Sequence, residues 1–332
     1  SGVGLTDEKL LGVANLLTGR SFFGIANQFW WTVLATIVLW FVLNRTQFGA
    51  HVFLTGDNKI SAQLMGVNVN RVKRRTFAIM GFFAAFAGES VDGHDYVEDA
   101  INRGAQFALV SKDCKYPAIK VADVQIALTK LATHVRTNLS ELTVVGITGS
   151  QGKTTTKDLL RYILETVAPT VAPAGNFNNE LGAPITLLQC NEKTRFCILE
   201  MGARHVGDIA KLCKMATPDI GVVLRVGTAH VGEFGSEELV AKAKSEMISS
   251  LRDSAISVLG QYDQYTPAMA SLHNGTTVTF GETNSADVRA TDIEIREGRP
   301  HFDLVTPAGR ASVALRIIGI HQVANALAAA AI

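Results

Sequence analysis

Residues 146–158 read GITGSQGKTTTKD and follow directly on the apolar run LTVV at residues 142–145. An apolar run that enters a glycine-rich turn and continues into a helix-forming segment, here predicted over residues 158–167, is the context of a phosphate-binding loop. The common G-x4-G-K-[ST] pattern would place a glycine at Ile147, whereas the glycines here stand at 146, 149 and 152. An ordinary Gly/Ser/Thr turn before a helix is the alternative, and the Lys153-Thr154 pair after a strand disfavours it.

This loop predicts a nucleotide site. The glycines let backbone N–H groups converge on an anion, and the positive end of the following helix points to the same place. Lys153 would reach the β- and γ-phosphates of ATP, and Thr154 would offer its hydroxyl to Mg²⁺. The predicted nucleotide-binding residues of the loop are Gly149, Ser150, Gln151, Gly152, Lys153, Thr154 and Thr155.

Composition sets broad limits on the class of protein. A chain of 332 residues is long enough for two or three domains, and a net charge of +1 with 18% charged residues gives no nucleic-acid footprint. The four cysteines have no C-x-x-C spacing, so we expect buried thiols in a reducing cytosol rather than a metal site. They are Cys114, Cys190, Cys197 and Cys213. The internal position of the main apolar run argues against a signal peptide.

The N-terminal part is more apolar than the rest. Residues 29–43 are almost wholly apolar and, with residues 22–26, approach the ~20 residues that span a bilayer. Tryptophans near the ends of this run fit interfacial anchoring. The pattern predicts a membrane helix over residues 22–43, with a buried core helix as the alternative. The basic stretch at 44–76 would then face the cytoplasm by the positive-inside rule.

Three segments of this N-terminal part show a first resemblance to a known family. The segments LNRTQFG at 43–49, TGDN at 55–58 and LMGVNV at 64–69 resemble the permease subunit of sugar-type ABC transporters. The resemblance covers residues 1 to about 87. It implies membrane attachment through residues 22–43 and contact with an ABC ATPase through residues 44–76.

A second resemblance begins near residue 82. The segment FFAAFAGESVDGHDY at 82–96, with the strand predicted at 107–111, resembles the first domain of Mur ligases. Within that family it is most similar to the branch that adds D-alanyl-D-alanine to UDP-N-acetylmuramoyl-tripeptide. The apolar part of the segment can be read as a permease helix or as the ligase strand, and we place a junction near residues 85–89. The predicted domains are a permease-like fragment at 1–87, a partial N-terminal ligase domain at 88–138 and a central ATP-binding domain at 139–332.

The chain beyond the loop predicts an α/β fold. Short apolar strands at 196–200, 220–226 and 255–259 alternate with helical segments, which favours a mostly parallel sheet with helices on both faces. A helix over residues 121–136 leads into the strand before the loop, and residues 276–318 read as several strands with turns. Ligands in such sheets bind at the carboxyl ends of the strands.

Three residues near predicted strand ends or on a following helix are candidate catalytic residues, together with Lys153. Glu200 ends a strand and could hold Mg²⁺, although a solvated glutamate is the alternative. His230 lies in a glycine-rich loop where a structural histidine is common; the Mur ligase resemblance implies that it positions a metal. Lys244 matches the lysine that Mur ligases carbamylate, which would turn a cation into an anion able to bind a second Mg²⁺. A solvated helix face is the alternative for Lys244, as we expect for Lys242.

Two further segments complete the resemblance. The loop GNFNNELGAP at 175–184 resembles the family's acceptor-substrate contact, with Asn176, Asn178 and Asn179 as candidates and a simple turn cluster as the alternative. GIHQVANAL at 319–327 resembles the adenine-side helix start, where His321 and Asn325 are i, i+4 neighbours that could face one ligand.

Two single positions and one short segment depart from the family pattern. Arg225 and Gln322 stand where the family usually has asparagine, and GQYD at 260–263 replaces an expected Asn-x-Asp-Asp, leaving only Asp263 in step.

The resemblance as a whole implies an ATP-dependent amide ligase of peptidoglycan synthesis. Its implied metal ligands are Thr154, Glu200, His230 and Lys244, acting with Mg²⁺. The ligase part would lie in the cytoplasm, tethered to the inner membrane by the N-terminal helix. We expect the family's upstream uridine-binding part and its third domain to be missing from these 332 residues. A permease component that docks an ABC ATPase, and a fusion without complete activity, are the two alternatives.

Overall fold

The computed structural model describes residues 20–21, 25–26, 82–86, 92–173, 175, 177–228 and 231–332. Strands β1 (Arg20–Ser21) and β2 (Ile25–Ala26) form an antiparallel pair. The membrane helix predicted at 22–43 is therefore wrong at Ile25 and Ala26, because these two residues pair with Arg20–Ser21 as a strand. The rest of that segment, and the stretch at 44–76, lie outside the described residues. Every helix in the described residues is too short or too polar to cross a bilayer.

A small parallel sheet contains the ambiguous apolar segment. It consists of β3 (Phe82–Ala84), β4 (Phe107–Val110) and β5 (Ala118–Lys120), in that order. Helix α1 (Val97–Asn102) packs on it through a core that includes Val97, Ala100 and Ala108. Residues 82–84 are thus a strand rather than part of a helix, because they pair in register with Phe107–Leu109.

Helix α2 (Val124–Asn138) connects this sheet to the next one. It begins three residues after the predicted start, because the Asp123 side chain accepts a hydrogen bond from the Ile126 N–H at 2.8 Å and caps the helix there. Near its end, Arg136 forms a two-oxygen ion pair with Asp219, at 2.9 and 2.8 Å, and also donates to the Leu142 carbonyl. These bonds attach α2 to the amino ends of two strands of the central sheet.

Among the described residues, the central sheet has nine strands, in the order β14-β13-β12-β11-β10-β9-β6-β8-β7. The strands from β12 to β7 are parallel, and β13 and β14 extend the sheet antiparallel. This confirms the mostly parallel α/β fold. The bounds are β6 (Thr143–Thr148), β7 (Thr170–Val171), β8 (Phe196–Glu200), β9 (Ile220–Val223), β10 (Ile256–Gly260), β11 (Thr276–Gly281), β12 (Val288–Arg296), β13 (Arg299–Thr306) and β14 (Gly309–Ala314).

Helices cover both faces of this sheet. The helices are α3 (Lys153–Leu164), α4 (Gly182–Leu187), α5 (Asp208–Ala216), α6 (Val231–Phe234), α7 (Glu237–Ser249) and α8 (Gln322–Ala331). One buried cluster joins the sheet to α2, α4, α5 and α7, and a second joins it to α3 and α8. Alternate residues of β6 divide between the clusters, with Val144 in the first and Val145 and Ile147 in the second. The carboxyl end of β6 therefore opens between two layers of helices.

Two predicted bounds near the loop differ from the structure. Helix α3 begins at Lys153 rather than at residue 158, because Gly152 already closes the loop in a left-handed conformation and Thr154 to Thr156 continue as helix. Strand β9 ends at Val223 rather than at residue 226, because the following residues bond to the phosphate-binding loop instead of continuing the ladder.

Candidate functional site

The loop between β6 and α3 has the backbone of an anion-binding turn. Gly149 and Gly152 have φ values of 155° and 85°, a region in which a side chain is strained. At Gly152 a Cβ atom would also lie 2.3 Å from the Asn325 Oδ1, so α8 closely approaches the loop. The loop N–H groups and the N-terminus of α3 face the same carboxyl edge of the sheet.

Hydrogen bonds join this loop to the segment that follows β9, and Asp263 after β10 holds that segment in turn. The Ser150 N–H donates to the Arg225 carbonyl at 2.9 Å, and the Ser150 hydroxyl accepts from the Gly227 N–H at 2.9 Å. Asp263, after β10, accepts from the Val226 N–H at 2.9 Å and from the Thr266 N–H and hydroxyl. Asp263 thus holds the segment that supports the loop.

Lys153 extends over the loop. Its ammonium donates to the Gly149 carbonyl at 2.7 Å. Burial lowers its pKa, and the nearby Glu200 carboxylate opposes that shift. The cation is therefore positioned above the turn where phosphate oxygens would lie.

Glu200 is a buried partner of the loop rather than a solvated side chain. Only 1% of it is exposed, and its two oxygens accept hydrogen bonds from the Thr154 hydroxyl at 3.0 Å and from the Asn178 side-chain amide at 2.9 Å. A carboxylate and a hydroxyl at this distance are hard oxygen donors of the kind that Mg²⁺ prefers. The described ranges hold no cluster of three or more His, Cys, Asp and Glu side chains that could bind a metal. The residues present fit Mg²⁺, which usually takes one or two protein carboxylates and keeps waters and phosphate oxygens.

Lys244 is also buried. It lies on α7 with 4% of its surface exposed, whereas Lys242 on the same helix is exposed, as expected. Burial, followed by the charge of Lys153, lowers the pKa of Lys244 to about 7. A solvated helix face is therefore excluded for Lys244, and burial favours the neutral form of its amine.

The three asparagines predicted to contact the acceptor differ in what the structure shows of them. Asn178 contacts Glu200 as described above. The Asn179 side chain instead accepts from the Gly182 N–H at 3.0 Å and caps α4, a local structural contact. Asn176 and His230 lie outside the described residues, and their roles stay predictions.

The sequence did not single out two charged residues that make structural contacts, the buried Lys157 and the partly buried Glu246. Lys157 is 1% exposed and donates to the carbonyls of Pro173 and Gly175, both at 2.9 Å, which holds the start of the amide-rich loop against α3. Glu246, on α7, accepts from the Gly207 and Ala210 N–H groups and thereby caps α5. The only local signal for Lys157 was a second lysine after the threonine run, which reads equally well as a solvated residue.

A cavity of about 430 Å³ lies beside the loop. His321 and Asn325 both line it, so the predicted i, i+4 pair does face one space. Its walls are formed by Gln151, Gly152, Thr155, Leu224, Arg225, Tyr262, Phe280, Glu282, Ile320, His321, Ala324 and Asn325. The cavity extends from the phosphate-binding loop to the aromatic side chains of Tyr262 and Phe280, whose ring centroids are 6.0 Å apart.

The sheet, the loop and the buried carboxylate define a P-loop-type nucleotide-binding α/β protein. A family model described as the Mur ligase middle domain matches residues 147–332. The chain belongs to the Mur ligase family. A second model, described as a branched-chain amino acid transport system permease component, matches residues 9–91.

Curated relatives agree with the family. The UDP-N-acetylmuramoyl-tripeptide–D-alanyl-D-alanine ligase of Mycobacterium tuberculosis is 43% identical over 310 residues, which is 86% of this chain and 58% of the relative. The ligase of the same name from Escherichia coli is 36% identical over 254 residues, 75% of this chain and 56% of the relative. The chain thus spans a little over half the length of these relatives.

Solved structures show the same fold. MurF from Acinetobacter baumannii superposes with a TM-score of 0.69 at 36% identity, covering 75% of this chain and 55% of the other. MurF ligase from Thermotoga maritima, solved in complex with ADP, superposes with a TM-score of 0.65 at 33% identity, covering 75% of this chain and 58% of the other. The chain therefore has a MurF-like α/β fold.

Proposed function

We propose that this chain contains the ATP-binding core of a ligase that joins D-alanyl-D-alanine to UDP-N-acetylmuramoyl-tripeptide. The observation that carries the proposal is the contact of the Thr154 hydroxyl with the buried Glu200 carboxylate, directly after the phosphate-binding loop. The names of the relatives at 43% and 36% identity support the substrate assignment.

The proposed reaction has two steps. A carboxylate oxygen of the tripeptide attacks the γ-phosphorus of ATP, and the bond to the bridging oxygen breaks to release ADP. The dipeptide amine then attacks the acyl carbon of the acyl phosphate, inorganic phosphate leaves, and the amine loses a proton as the amide forms. The protein contributes mainly positioning and charge stabilisation to such a reaction.

The described residues have distinct parts in this scheme. The loop N–H groups and the Lys153 ammonium hold the phosphate chain, and Thr154 with Glu200 would hold Mg²⁺. Bound there, Mg²⁺ would neutralise charge on the β- and γ-phosphate oxygens. Asn178 orients the Glu200 carboxylate from the side of the amide-rich loop, where the acceptor would bind.

Lys244 would act after reaction with CO₂. Its low pKa, about 7, supports this proposal because only the neutral amine attacks CO₂. The resulting carbamate is an anion near Lys153 and would provide a second metal-binding group. His230 keeps its proposed metal-positioning role from the family resemblance alone.

Nucleotide binding tests the core of the proposal. Lys153→Ala removes the cation above the loop, so ATP binding measured by calorimetry should be lost. Lys242→Ala is the matched control, because Lys242 is an exposed lysine of α7 and should leave ATP affinity unchanged. Unchanged ATP affinity in the Lys153 variant would contradict the assignment. Formation of the pentapeptide product from both substrates and ATP, followed by mass spectrometry, tests the full reaction.

We also propose that residues 1–87 are a permease-type fragment followed by ligase domains at 88–138 and 139–332. The permease model match at 9–91 favours it, and its overlap with β3 is consistent with a junction near residues 85–89. This hypothesis places the ligase part in the cytoplasm, held at the inner membrane through the apolar run at 29–43, which follows the β1–β2 pair, with an ABC ATPase contact at 44–76. Recovery of the whole chain free of the membrane fraction after cell lysis would exclude the tether.

A further inference from the structure

Three departures from the Mur ligase pattern meet around one cavity. Arg225 and Tyr262 are far apart in sequence but both line the cavity of about 430 Å³ beside the loop. Gln322 accepts a hydrogen bond from the side-chain amide of Asn325 at 2.8 Å, and Asn325 lines the same cavity. The residues at this cavity therefore differ from those of the Mur ligase pattern.

The backbone of Arg225 is held against the phosphate-binding loop. Its carbonyl accepts the Ser150 N–H at 2.9 Å, and the next residue, Val226, donates to Asp263 at 2.9 Å. The Arg225 side chain is nevertheless exposed, and in the described part of the chain it takes part in no ion pair. A fixed backbone with an uncommitted guanidinium at the cavity wall is the arrangement of a residue that contacts a ligand.

Tyr262 and Glu282 lie near the Arg225 guanidinium. The pKa of Tyr262 is raised by burial and by Glu282, and the charge of Arg225 opposes this shift. Arg225 and Glu282 are therefore both close to Tyr262, and all three line the cavity together with Gln151 and Gly152 of the loop. Glu200 and Lys153, the proposed phosphoryl-transfer groups, do not line this cavity.

We propose that Arg225 contacts the phosphate chain of the bound nucleotide and determines the affinity of this chain for ATP. The role rests on the proposed nucleotide-binding function and adds a binding residue that the family pattern does not provide. A guanidinium makes two parallel charge-assisted hydrogen bonds to phosphate oxygens, whereas asparagine offers one neutral amide. Because Arg225 lines a cavity that Glu200 does not line, it acts on nucleotide affinity rather than on the transfer step.

Calorimetric titration of the full chain with ATP, ADP and adenosine tests this role. Arg225→Asn should weaken ATP and ADP binding by about tenfold or more, the loss that one charge-assisted hydrogen bond accounts for. Binding of adenosine, which has no phosphate, should change less than twofold. Arg225→Lys should recover part of the affinity, because it keeps the charge without the planar fork. Arg296→Asn, which removes an exposed arginine from β12, is the control for net charge and should bind ATP as the unmodified chain does.

The outcomes separate this inference from the proposed function. If the unmodified chain does not bind ATP, both the proposed function and the role of Arg225 are overturned. ATP binding by the unmodified chain with equal affinity in the Arg225→Asn variant would overturn the Arg225 role alone. An equal loss for adenosine and ATP would also overturn it, because the residue would then act on the base pocket. Matching circular dichroism and thermal unfolding curves establish that the variants are folded.

Discussion

Lys244→Met should make the metal-free protein more stable at neutral pH. Lys244 is 4% exposed, and its pKa is lowered from an ordinary 10.5 to about 7 by burial and by Lys153. A shift of this size corresponds to about 5 kcal/mol at ~1.4 kcal/mol per pKa unit, which relaxation of the site reduces. We therefore expect the variant to gain ~2 to ~5 kcal/mol of unfolding free energy at pH 7. Methionine is a suitable replacement because it is unbranched and apolar.

The sign of the pH dependence follows from proton binding. Between pH 7 and 10.5 the unfolded chain keeps a proton on Lys244 that the folded chain has released, so stability of the unmodified protein rises with pH. The variant lacks this rise, and the two stability curves should converge as the pH approaches 10.5. Urea unfolding between pH 6.5 and 10, in buffer without Mg²⁺ or bicarbonate, measures both curves.

A matched variant and a second readout sharpen the test. Lys242→Met changes an exposed lysine two residues away and should keep the pH slope of the unmodified protein. Addition of ¹³C-bicarbonate should produce a carbamate signal in the NMR spectrum that Lys244→Met lacks. Parallel stability curves for the unmodified protein and Lys244→Met would refute the reasoning, because they would show that Lys244 titrates as an exposed lysine does.

Three further substitutions test other contacts. Asp263→Asn should lower the unfolding free energy by ~2 kcal/mol, because an amide cannot accept from all the donors that the carboxylate serves, and urea unfolding measures the loss. Glu246→Gln should speed hydrogen exchange of the Gly207 and Ala210 amides and cost ~1 kcal/mol, because one capping oxygen becomes a donor; unchanged exchange there would contradict the cap. Tyr262→Phe should raise the unfolding free energy of the ligand-free chain by ~1 kcal/mol, because its buried hydroxyl has no hydrogen-bond partner among the residues that the structure describes; a loss of stability would show that a partner exists.

Much of the fold follows from local sequence. Strand β8 has the predicted bounds, and β4, β9 and β10 differ from prediction by a few residues, because short apolar runs between turns leave a buried strand as the main option. Helix ends were harder to predict, since the start of α3 depends on where the loop backbone closes. At residues 82–84 the sequence allowed a helix or a strand, and pairing with β4 decided it.

The phosphate-binding loop is the part of the site that the sequence determined by itself. Its glycines, its lysine and the order strand, turn, helix are all local features, and the left-handed conformations at Gly149 and Gly152 agree with them. The i, i+4 spacing of His321 and Asn325 was sufficient to place both at one cavity.

Only the tertiary structure decided which polar side chains lie beside the phosphate-binding loop and how burial changes their pKa values. The contact of Glu200 with Thr154, and the approach of Arg225 to Tyr262, depend on strand order, which brings together segments that are distant in sequence. Lys242 and Lys244 show the physical reason most directly. They are two residues apart on α7, about 200° around the helix, so one faces water and the other is buried beside Lys153. The pKa of about 7 results from the burial of Lys244 and from the nearby charge of Lys153, neither of which can be read from the lysine residue alone.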